Sequence, residues 1–287
     1  MKKIATIIVT YNGEKWIQKC LDSVLNSTYS SDIYLVDNCS TDNTLAIVKE
    51  YSKEYSLAIK ALNTNSGFGF ANNYALKKLL SSDYDYFFLM NQDLYLEENV
   101  LGKLVSFAES HLEMGIIAPI QFDGKGKKID TNFQQYIKLS EEKENYFETS
   151  FCNAAAWLVS KSCIEKVGLF NPIFQHYGED RNYCERAKFH DFKIAIVKET
   201  KVLHDRNQKM TTEKAIKLAK IKLLTIFLNP NKTKSESMTS GLINVFGISK
   251  YLFKKYNSFG AVFQILPEYF RLYKRRNELE LEKLKQK

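Results

Sequence analysis

Residues 86–96 read YFFLMNQDLYL, an apolar run that ends at three polar residues, Asn91, Gln92 and Asp93. A continuous apolar run of this kind is typical of a strand that is buried on both faces of a parallel sheet. In an open α/β sheet, ligands bind at the edge that the carboxyl ends of the strands form. The stretch therefore predicts a central buried strand that brings Asp93 to a binding site.

Three units of strand, polar loop and helix precede this stretch. We expect the strands at 4–10, 33–36 and 57–62, and the helices at 15–26, 44–51 and 70–80. In the first helix, Trp16, Cys20 and Val24 recur at the spacing that places apolar side chains on one face. This alternation predicts an α/β fold with a doubly wound, mainly parallel sheet.

Polar residues follow each of the four predicted strands. The clusters are Thr10, Tyr11 and Asn12; Asp37 and Asn38; Asn63, Thr64 and Asn65; and Asn91, Gln92 and Asp93. Residues of these types are also common in turns, so one cluster alone is equally consistent with an ordinary turn. Because all four would lie along one edge of a parallel sheet, together they favour a ligand site.

Two familiar phosphate-binding loops are missing from the sequence. There is no GxxxxGK[ST] motif, and Gly67-Phe68-Gly69 is followed by Asn72 where a dinucleotide-binding loop has its third glycine. A bound diphosphate would therefore lack a lysine-bearing glycine loop to neutralise its charge. A divalent cation on a carboxylate is the natural substitute, and Mg²⁺ or Mn²⁺ suits oxygen ligands.

Five motifs resemble, in order and spacing, those of the inverting glycosyltransferases of family 2. They are IIVTYN (7–12), VDNCSTDNT (36–44), NTNSGFGFANN (63–73), FLMNQD (88–93) and VGLFNPIFQHYGEDRNYCERA (167–187). Within the family the sequence resembles the bacterial rhamnosyltransferase-like branch. The resemblance covers about residues 4–206 and implies a GT-A fold. It also implies transfer of a sugar, with inversion, from a dTDP- or UDP-sugar to a glycan or lipid-linked acceptor in the synthesis of a bacterial surface polysaccharide such as O-antigen or capsule.

The resemblance implies residues for the nucleotide and the metal. Thr10, Tyr11 and Asp37 would contact the base and ribose, and the remaining nucleotide-site residues would be Asn12, Asn65, Gly67, Asn91 and Gln92. Asp93 would be the metal-side carboxylate of a DxD-type motif, and His204 would complete the metal shell. Asn91 stands where the full motif has its first Asp, which puts the metal requirement in question. A solvated loop position is the alternative for His204.

The resemblance assigns the catalytic base to Asp180, with Glu179 in support. An adjacent acidic pair at a predicted helix start could take the proton of an acceptor hydroxyl. Acidic residues are also favoured there for capping and dipole reasons alone, so the pattern by itself leaves both explanations open. Asn182 replaces a further acidic residue of the family pattern.

The segments between these motifs are less regular. Residues 122–146 are polar and lysine-rich, and we expect a loop over the site or a solvated excursion. Trp157 could stack on a sugar, but burial in the core is the favoured interpretation because large aromatic side chains mostly pack.

The charge is concentrated in the last part of the chain. Residues 207–287 hold 17 Lys and Arg against 6 Asp and Glu, a net charge of +11. Because the whole chain has a net charge of +8, residues 1–206 have a net charge of −3. We therefore divide the chain into a catalytic domain at 1–206 and a helical basic appendage at 207–287, with helices at 211–228, 242–256 and 265–285. The appendage could lie on an anionic membrane surface or pack as a solvated helical subdomain.

Two other functional classes fit part of the sequence. A nucleotidyltransferase would share the sheet and the metal, and a non-catalytic nucleic-acid binder would use the basic tail. No basic motif interleaved with aromatic residues supports nucleic-acid binding, so we expect none. The five cysteines are odd in number and have no CxxC spacing, which favours a reducing compartment. We expect a cytoplasmic protein, with a peripheral position on the inner face of the cell membrane as an alternative.

Overall fold

The computed structural model describes residues 1–206, 211–256 and 260–285. Its strands are β1 (Ile4–Thr10), β2 (Asp32–Asp37), β3 (Leu57–Ala61), β4 (Tyr86–Asn91), β5 (Leu94–Leu96), β6 (Met114–Asp123), β7 (Glu141–Glu142), β8 (Tyr146–Thr149), β9 (Ala156–Ser160) and β10 (Lys193–His204). Its helices are α1 (Ile17–Leu25), α2 (Thr44–Glu54), α3 (Phe68–Leu79), α4 (Val100–Ser110), α5 (Phe133–Lys138), α6 (Lys161–Val167), α7 (Glu179–Phe189), α8 (Thr212–Phe227), α9 (Lys234–Tyr256), α10 (Ala261–Lys274) and α11 (Arg276–Leu284).

One sheet runs through the molecule in the order β3-β2-β1-β4-β9-β6-β10-β8-β7, and β5 pairs with β10. The first four strands are parallel, as the alternation of strands and helices predicts. Beyond β4 the sheet is mixed, because β9 runs antiparallel to both β4 and β6 while β6 and β10 are parallel. The α/β fold is thus confirmed, with its parallel half in the first 91 residues and a mixed half after them.

The central strand β4 is buried on both faces. Phe88 points into a core covered by α1 and α4, where it joins Leu21 and Leu101. Phe87 points into the opposite core with Ala75 of α3. Burial of a phenylalanine side chain contributes about 1.5 to 3 kcal/mol. The apolar run therefore fixes β4 in the sheet, and the chain leaves the core at Asn91.

Trp157 of β9 is fully buried in the core on the α3 side. Its ring stacks on Phe170, with the ring centroids 6.4 Å apart. The favoured interpretation of Trp157 as a core residue is confirmed.

Residues 122–146 contain more regular structure than we expect from their composition. Helix α5 begins where Asp130 Oδ1 accepts hydrogen bonds from the N–H groups of Asn132 and Phe133. Phe133 is fully buried and anchors the helix against the sheet. The expectation of a loop over this range was therefore wrong for α5 and for the short strand pair β7 and β8.

The last four helices share a core of their own, which includes Leu223, Val245, Ile265 and Leu279. Phe174, from the loop before α7, packs into the same core. A helical C-terminal region is confirmed, although 265–285 forms two helices and the second predicted helix begins earlier, at Lys234. The domain boundary at 206/207 stays a prediction. Within the described ranges, no helix is long and apolar enough to cross a membrane.

Candidate functional site

Gln92 joins the ends of β1 and β4. Its amide oxygen accepts hydrogen bonds from Thr10 Oγ1 (2.5 Å) and from the Tyr11 N–H (2.9 Å), and its amide group donates to the Tyr11 carbonyl (3.0 Å). A Cβ atom on Gly13 would lie 2.0 Å from Gln92 Oε1, so a larger residue there would displace the Gln92 amide from this position. Gln92 and Thr10 thus fix the edge of the sheet, and the Tyr11 ring stays exposed beside them.

Asp37, at the end of β2, is a buried carboxylate. Its Oδ2 atom accepts a hydrogen bond from the Ser40 N–H at 3.0 Å. Its Oδ1 atom is buried and has no hydrogen-bond partner among the residues that the structure describes. Leaving a buried carboxylate oxygen unpaired is unfavourable, so a donor group supplied by a ligand would be stabilising here.

Two asparagines of the predicted nucleotide site hold loops together. Asn65 Oδ1 accepts hydrogen bonds from Asn38 Nδ2 (2.9 Å) and the Gly67 N–H (3.1 Å). Asn12 Oδ1 accepts one from the Thr41 N–H at 2.9 Å. These bonds order the loops after β1, β2 and β3, and direct contact of either asparagine with a nucleotide stays a prediction.

Gly67 lies where two loops meet. Its φ angle is +90°, and a Cβ atom there would lie 1.7 Å from the carbonyl oxygen of Gln175. The loop after β3 therefore presses against the segment that leads into α7. Nearby, a Cβ atom on Gly69 of α3 would lie 3.5 Å from the Glu179 Cβ, so the start of α3 borders the start of α7.

Asp93 and His204 meet at the carboxyl edge of the sheet. The Nε2 atom of His204 lies 3.5 Å from Asp93 Oδ1, and antiparallel pairing of β5 with β10 holds the two chain segments side by side. His204 is buried, so the alternative of a solvated loop position is wrong. Asn91 is the last residue of β4 on the same edge, and its N–H donates a hydrogen bond to the Ala155 carbonyl at 2.9 Å.

Gln121 orients the His204 ring. Its Oε1 atom lies 3.0 Å from His204 Nδ1, and its Nε2 donates to Asn153 Oδ1 at 2.9 Å. Because the glutamine oxygen can only accept, Nδ1 carries the proton, and in the neutral form of the ring the lone pair of Nε2 faces Asp93. A metal-binding histidine is commonly oriented by a hydrogen bond from its other nitrogen in this way.

The side chains at this edge fit a divalent cation. Asp93 supplies a carboxylate and His204 supplies an oriented imidazole nitrogen beside it. Over residues 1–206, 211–256 and 260–285, no three His, Cys, Asp or Glu side chains form a ready-made metal cluster. The protein would thus contribute two ligands, and the oxygens of a diphosphate and water would have to supply the rest.

Glu179 and Asp180 form the first turn of α7. Glu179 is 6% exposed, and its Oε2 atom has no hydrogen-bond partner in the described part of the chain. Burial, and then the neighbouring charge of Asp180, raise the pKa of Glu179 to about 7. Burial also raises the pKa of Asp180, although hydrogen bonds from the Arg181 and Ala154 N–H groups partly oppose the rise. A raised pKa makes a carboxylate a stronger base near neutral pH.

Residues 153–155 connect these groups. Asn153 binds Gln121, which orients His204; the Ala154 N–H binds Asp180; and the Ala155 carbonyl binds the end of β4. The short segment before β9 therefore brings Asp93, His204 and Asp180, which are far apart in sequence, to one region of the sheet edge.

Sequence reasoning missed Gln121 and the pair of Asp130 with Arg206. Gln121 is fully buried in β6, and its position directly after the non-polar residues 114–120 of that strand was the available signal. Arg206 bonds both oxygens of Asp130 with its Nε and Nη2 atoms. Asp130 also interacts electrostatically with His204, so this ion pair lies near the histidine.

The sequence is similar to known glycosyltransferases. The sequence pattern of the family described as Glycosyl transferase family 2 matches residues 5–168. Poly(ribitol-phosphate) β-N-acetylglucosaminyltransferase TarS of Staphylococcus aureus is 33% identical over 115 residues, which are 39% of this chain and 20% of TarS. TarP of S. aureus, which carries the same descriptive name, is 29% identical over 189 residues, 63% of this chain and 56% of TarP. The matched regions thus span about half or less of these relatives.

Solved structures share the fold. A crystal structure of S. aureus TarS with UDP-GlcNAc has a TM-score of 0.68 at 18% identity, covering 99% of this chain and 88% of the other. The mannosyltransferase PcManGT from Pyrobaculum calidifontis, in complex with GDP-Man and Mn²⁺, has a TM-score of 0.62 at 13% identity, covering 93% and 73%. At these identities the likeness shows the fold alone, which is GT-A.

Proposed function

The chain belongs to glycosyl transferase family 2, and from this premise we propose that it transfers a sugar from a nucleoside diphosphate sugar to a hydroxyl group, with inversion. The observation that carries the proposal is the meeting of Asp93 with the oriented His204 at the edge where β1, β2 and β4 end. A diphosphate bound there would have its base and ribose toward Asp37, whose buried oxygen needs a donor. A uracil or thymine ring offers an N–H group, which is consistent with a UDP- or dTDP-sugar.

Asp93 and His204 would hold the Mg²⁺ or Mn²⁺ ion. When bound, the cation would neutralise the charge on the departing diphosphate. With one protein carboxylate at the site, we expect the cation to bind together with the nucleotide. Titration with Mn²⁺ in the presence of nucleotide should therefore show tighter binding for wild type than for His204→Ala, and identical titrations would remove His204 from the shell.

Asp180 would take the proton of the acceptor hydroxyl. Its carboxylate lies at the start of α7, and the Ala154 N–H and the Arg181 N–H hold it in place. Among the residues that the structure describes, no lysine forms a salt bridge with Asp180, and burial raises the pKa of Asp180 although the Arg181 charge opposes the rise, which favours a basic rather than an inert carboxylate. Glu179 beside it would be partly protonated near pH 7 and could donate a hydrogen bond to the acceptor.

The relatives favour a phosphate-containing acceptor. TarS and TarP are named as poly(ribitol-phosphate) transferases, and a Bacillus spizizenii relative, 28% identical over 149 residues, as a poly(ribitol-phosphate) β-glucosyltransferase. We propose a role in assembling a bacterial surface glycopolymer or glycolipid. The rhamnosyltransferase-like branch and an O-antigen or capsule product stay predictions.

A panel of UDP-, dTDP- and GDP-sugars with Mn²⁺, scored by thermal shift, tests the donor site. A donor at 100 times its Kd stabilises the folded state by about 2.7 kcal/mol. Asp37→Asn should remove most of the increase in melting temperature that the donor produces. Asp32→Asn, at the other end of β2, should leave that increase unchanged. Release of nucleoside diphosphate supports sugar transfer, whereas release of pyrophosphate would indicate a nucleotidyltransferase.

The C-terminal helices support contact with an anionic membrane surface, which we include in the proposal. On α9, Ile243 (65% exposed) and Phe246 (59%) lie on one face with Lys250. On α10, Phe263 is 77% exposed and lies on one face with Lys274. Exposed apolar and basic residues on the same face are typical of helices that bind anionic bilayers.

Flotation of the full chain with anionic and neutral liposomes tests this contact. Phe246→Ser combined with Phe263→Ser should reduce recovery with anionic liposomes. Leu139→Ser replaces an apolar residue outside the C-terminal helices that is 83% exposed, and it should not reduce recovery. Equal recovery of wild type, the double variant and Leu139→Ser with anionic liposomes would contradict membrane contact.

A further inference from the structure

Residues 167–171, which connect α6 to the turn before α7, are held by side chains from α3 and α7. The N–H group of Phe170 donates a hydrogen bond to Asn73 Oδ1 (2.9 Å), and its carbonyl accepts one from Asn73 Nδ2 (2.7 Å). Asn73 is 9% exposed and lies on α3, 97 residues before Phe170 in the chain. One buried amide therefore satisfies both backbone groups of Phe170 and joins this segment to α3.

Arg186 of α7 holds the same segment from the other side. It is 2% exposed, and its Nη1 and Nη2 atoms donate hydrogen bonds to the carbonyls of Val167 (2.7 Å) and Leu169 (2.6 Å). Its Nε atom donates one to Asn182 Oδ1 at 3.1 Å. These three partners are neutral, and burial lowers the pKa of Arg186. Because a buried charge is costly unless its donors are satisfied, the guanidinium depends on these carbonyls and fixes them in turn.

The Phe170 side chain fills the space between the beginnings of α3 and α7. Its ring centre lies 5.9 Å from that of Phe68 on α3 and 4.9 Å from that of Tyr183 on α7. A Cβ atom on Gly69 would lie 3.2 Å from the Phe170 Cβ and 3.6 Å from Glu179 Cγ, so the three segments are in close contact. A shift of residues 167–171 would therefore change the spacing of the two helices.

These two helices belong to different halves of the candidate site. Helix α3 follows the loop that contains Asn65 and Gly67, whereas α7 begins with Glu179 and Asp180. Because α7 is not part of the sheet, side-chain contacts of this kind place Asp180 relative to the strand ends that would hold the donor. A displacement of about 1 Å between reacting groups can lower a rate about 10²-fold.

We propose that Asn73 and Arg186 are positioning residues for the transfer reaction. By fixing residues 167–171 between α3 and α7, they set the distance from Asp180 to the bound donor, although neither side chain touches a substrate. This role rests on the proposed glycosyltransferase function and adds two residues to it.

Amide hydrogen exchange of the full chain tests the contact without any substrate. Asn73→Leu leaves both backbone groups of Phe170 unpaired, and Asn73→Ala leaves room for water to bind them, so a folded variant is available even if leucine is not tolerated. In both we expect exchange of residues 167–183, relative to that of β6, to be at least about tenfold faster than in wild type. Thr6→Val removes a buried hydrogen bond of β1 to Ser31 (2.7 Å) and should leave this ratio unchanged.

Release of nucleoside diphosphate separates positioning from stability. Water takes the place of the acceptor hydroxyl, and the donor is the nucleotide sugar that gives wild type its largest thermal shift. We expect kcat to be about 10- to 100-fold lower in both Asn73 variants, with the KM for the nucleotide sugar unchanged. Arg186→Met, which removes the three donor groups, should give the same pattern. Thr6→Val should keep the kcat and KM of wild type although its melting temperature is lower.

The outcomes distinguish the positioning role from the proposed function. Wild-type kcat in both Asn73 variants, or faster exchange without slower release of nucleoside diphosphate, would overturn the positioning role and leave Asn73 with an effect on stability alone. An increase in KM with unchanged kcat would also overturn it, because Asn73 would then act on donor binding. Loss of the nucleotide-sugar thermal shift in wild type contradicts the proposed function, whereas an intact shift with wild-type exchange of residues 167–183 in both Asn73 variants contradicts only the positioning role.

Discussion

Replacement of Glu179 by Gln should make the stability of the protein less sensitive to pH. Glu179 is 6% exposed, and burial followed by the Asp180 charge raises its pKa from 4.5 to about 7. Because the folded state holds this proton more tightly, the wild type loses stability as the pH rises from about 4.5 through about 7. At 1.36 kcal/mol per pKa unit, the loss above pH 7 is about 3 kcal/mol.

Chemical denaturation of wild type and Glu179→Gln at pH values from 5 to 8 measures this effect. The mutant carries a neutral side chain of the same shape, so its advantage in unfolding free energy should grow from near zero at low pH to about 3 kcal/mol at pH 8. Glu165→Gln, at an exposed position on α6, should change the unfolding free energy by no more than about 0.5 kcal/mol. A Glu179→Gln difference that stays constant from pH 5 to pH 8 would refute the raised pKa and its cause.

Three further predictions concern single positions. Gly67→Ala should destabilise the fold, because a Cβ atom would lie 1.7 Å from the Gln175 carbonyl at a φ of +90°; a melting temperature equal to that of wild type would contradict the contact. Trp157→Ala should cost about 3 to 5 kcal/mol of unfolding free energy, since the side chain is fully buried, and a loss below 1 kcal/mol would argue against a core role. Gln121→Met should lower Mn²⁺ affinity in the presence of nucleotide about 10- to 100-fold by releasing the His204 ring, and unchanged affinity would mean that the ring needs no support.

The parallel half of the sheet follows from the sequence because each element carries its own signal. The run 86–90 is apolar on both faces, and its end at Asn91 marks the edge of the core. The mixed half has no such signal. Residues 156–160 are buried on both faces whichever way the strand runs, so hydrophobicity alone cannot show that β9 is antiparallel to β4.

The start of α9 has a signal in the sequence that its apolar spacing does not include. Helix α9 begins after a capping box, in which the Thr233 N–H bonds Glu236 Oε2 and the Glu236 N–H bonds Thr233 Oγ1. The spacing of a threonine and a glutamate three residues later is visible in the sequence. The predicted start at 242 is late because the apolar periodicity of this helix does not extend to the capping box.

The properties of the candidate site depend on contacts that no local pattern encodes. Glu179 owes its raised pKa to burial, and a Cβ atom on Gly69 of α3 would lie only 3.5 Å from the Glu179 Cβ. The tautomer of His204 depends on Gln121, which is 83 residues away in sequence. Motifs therefore indicate candidate site residues, and packing decides their protonation and orientation.

The central claim is that Asp180 removes the proton from the acceptor hydroxyl while the first half of the sheet binds the donor. Single-turnover transfer by Asp180→Asn, measured together with the thermal shift that the nucleotide sugar produces, tests it most directly. The account predicts a rate about 10²- to 10⁴-fold below that of wild type, with the thermal shift unchanged. A rate within a few fold of wild type would contradict it and place the base elsewhere.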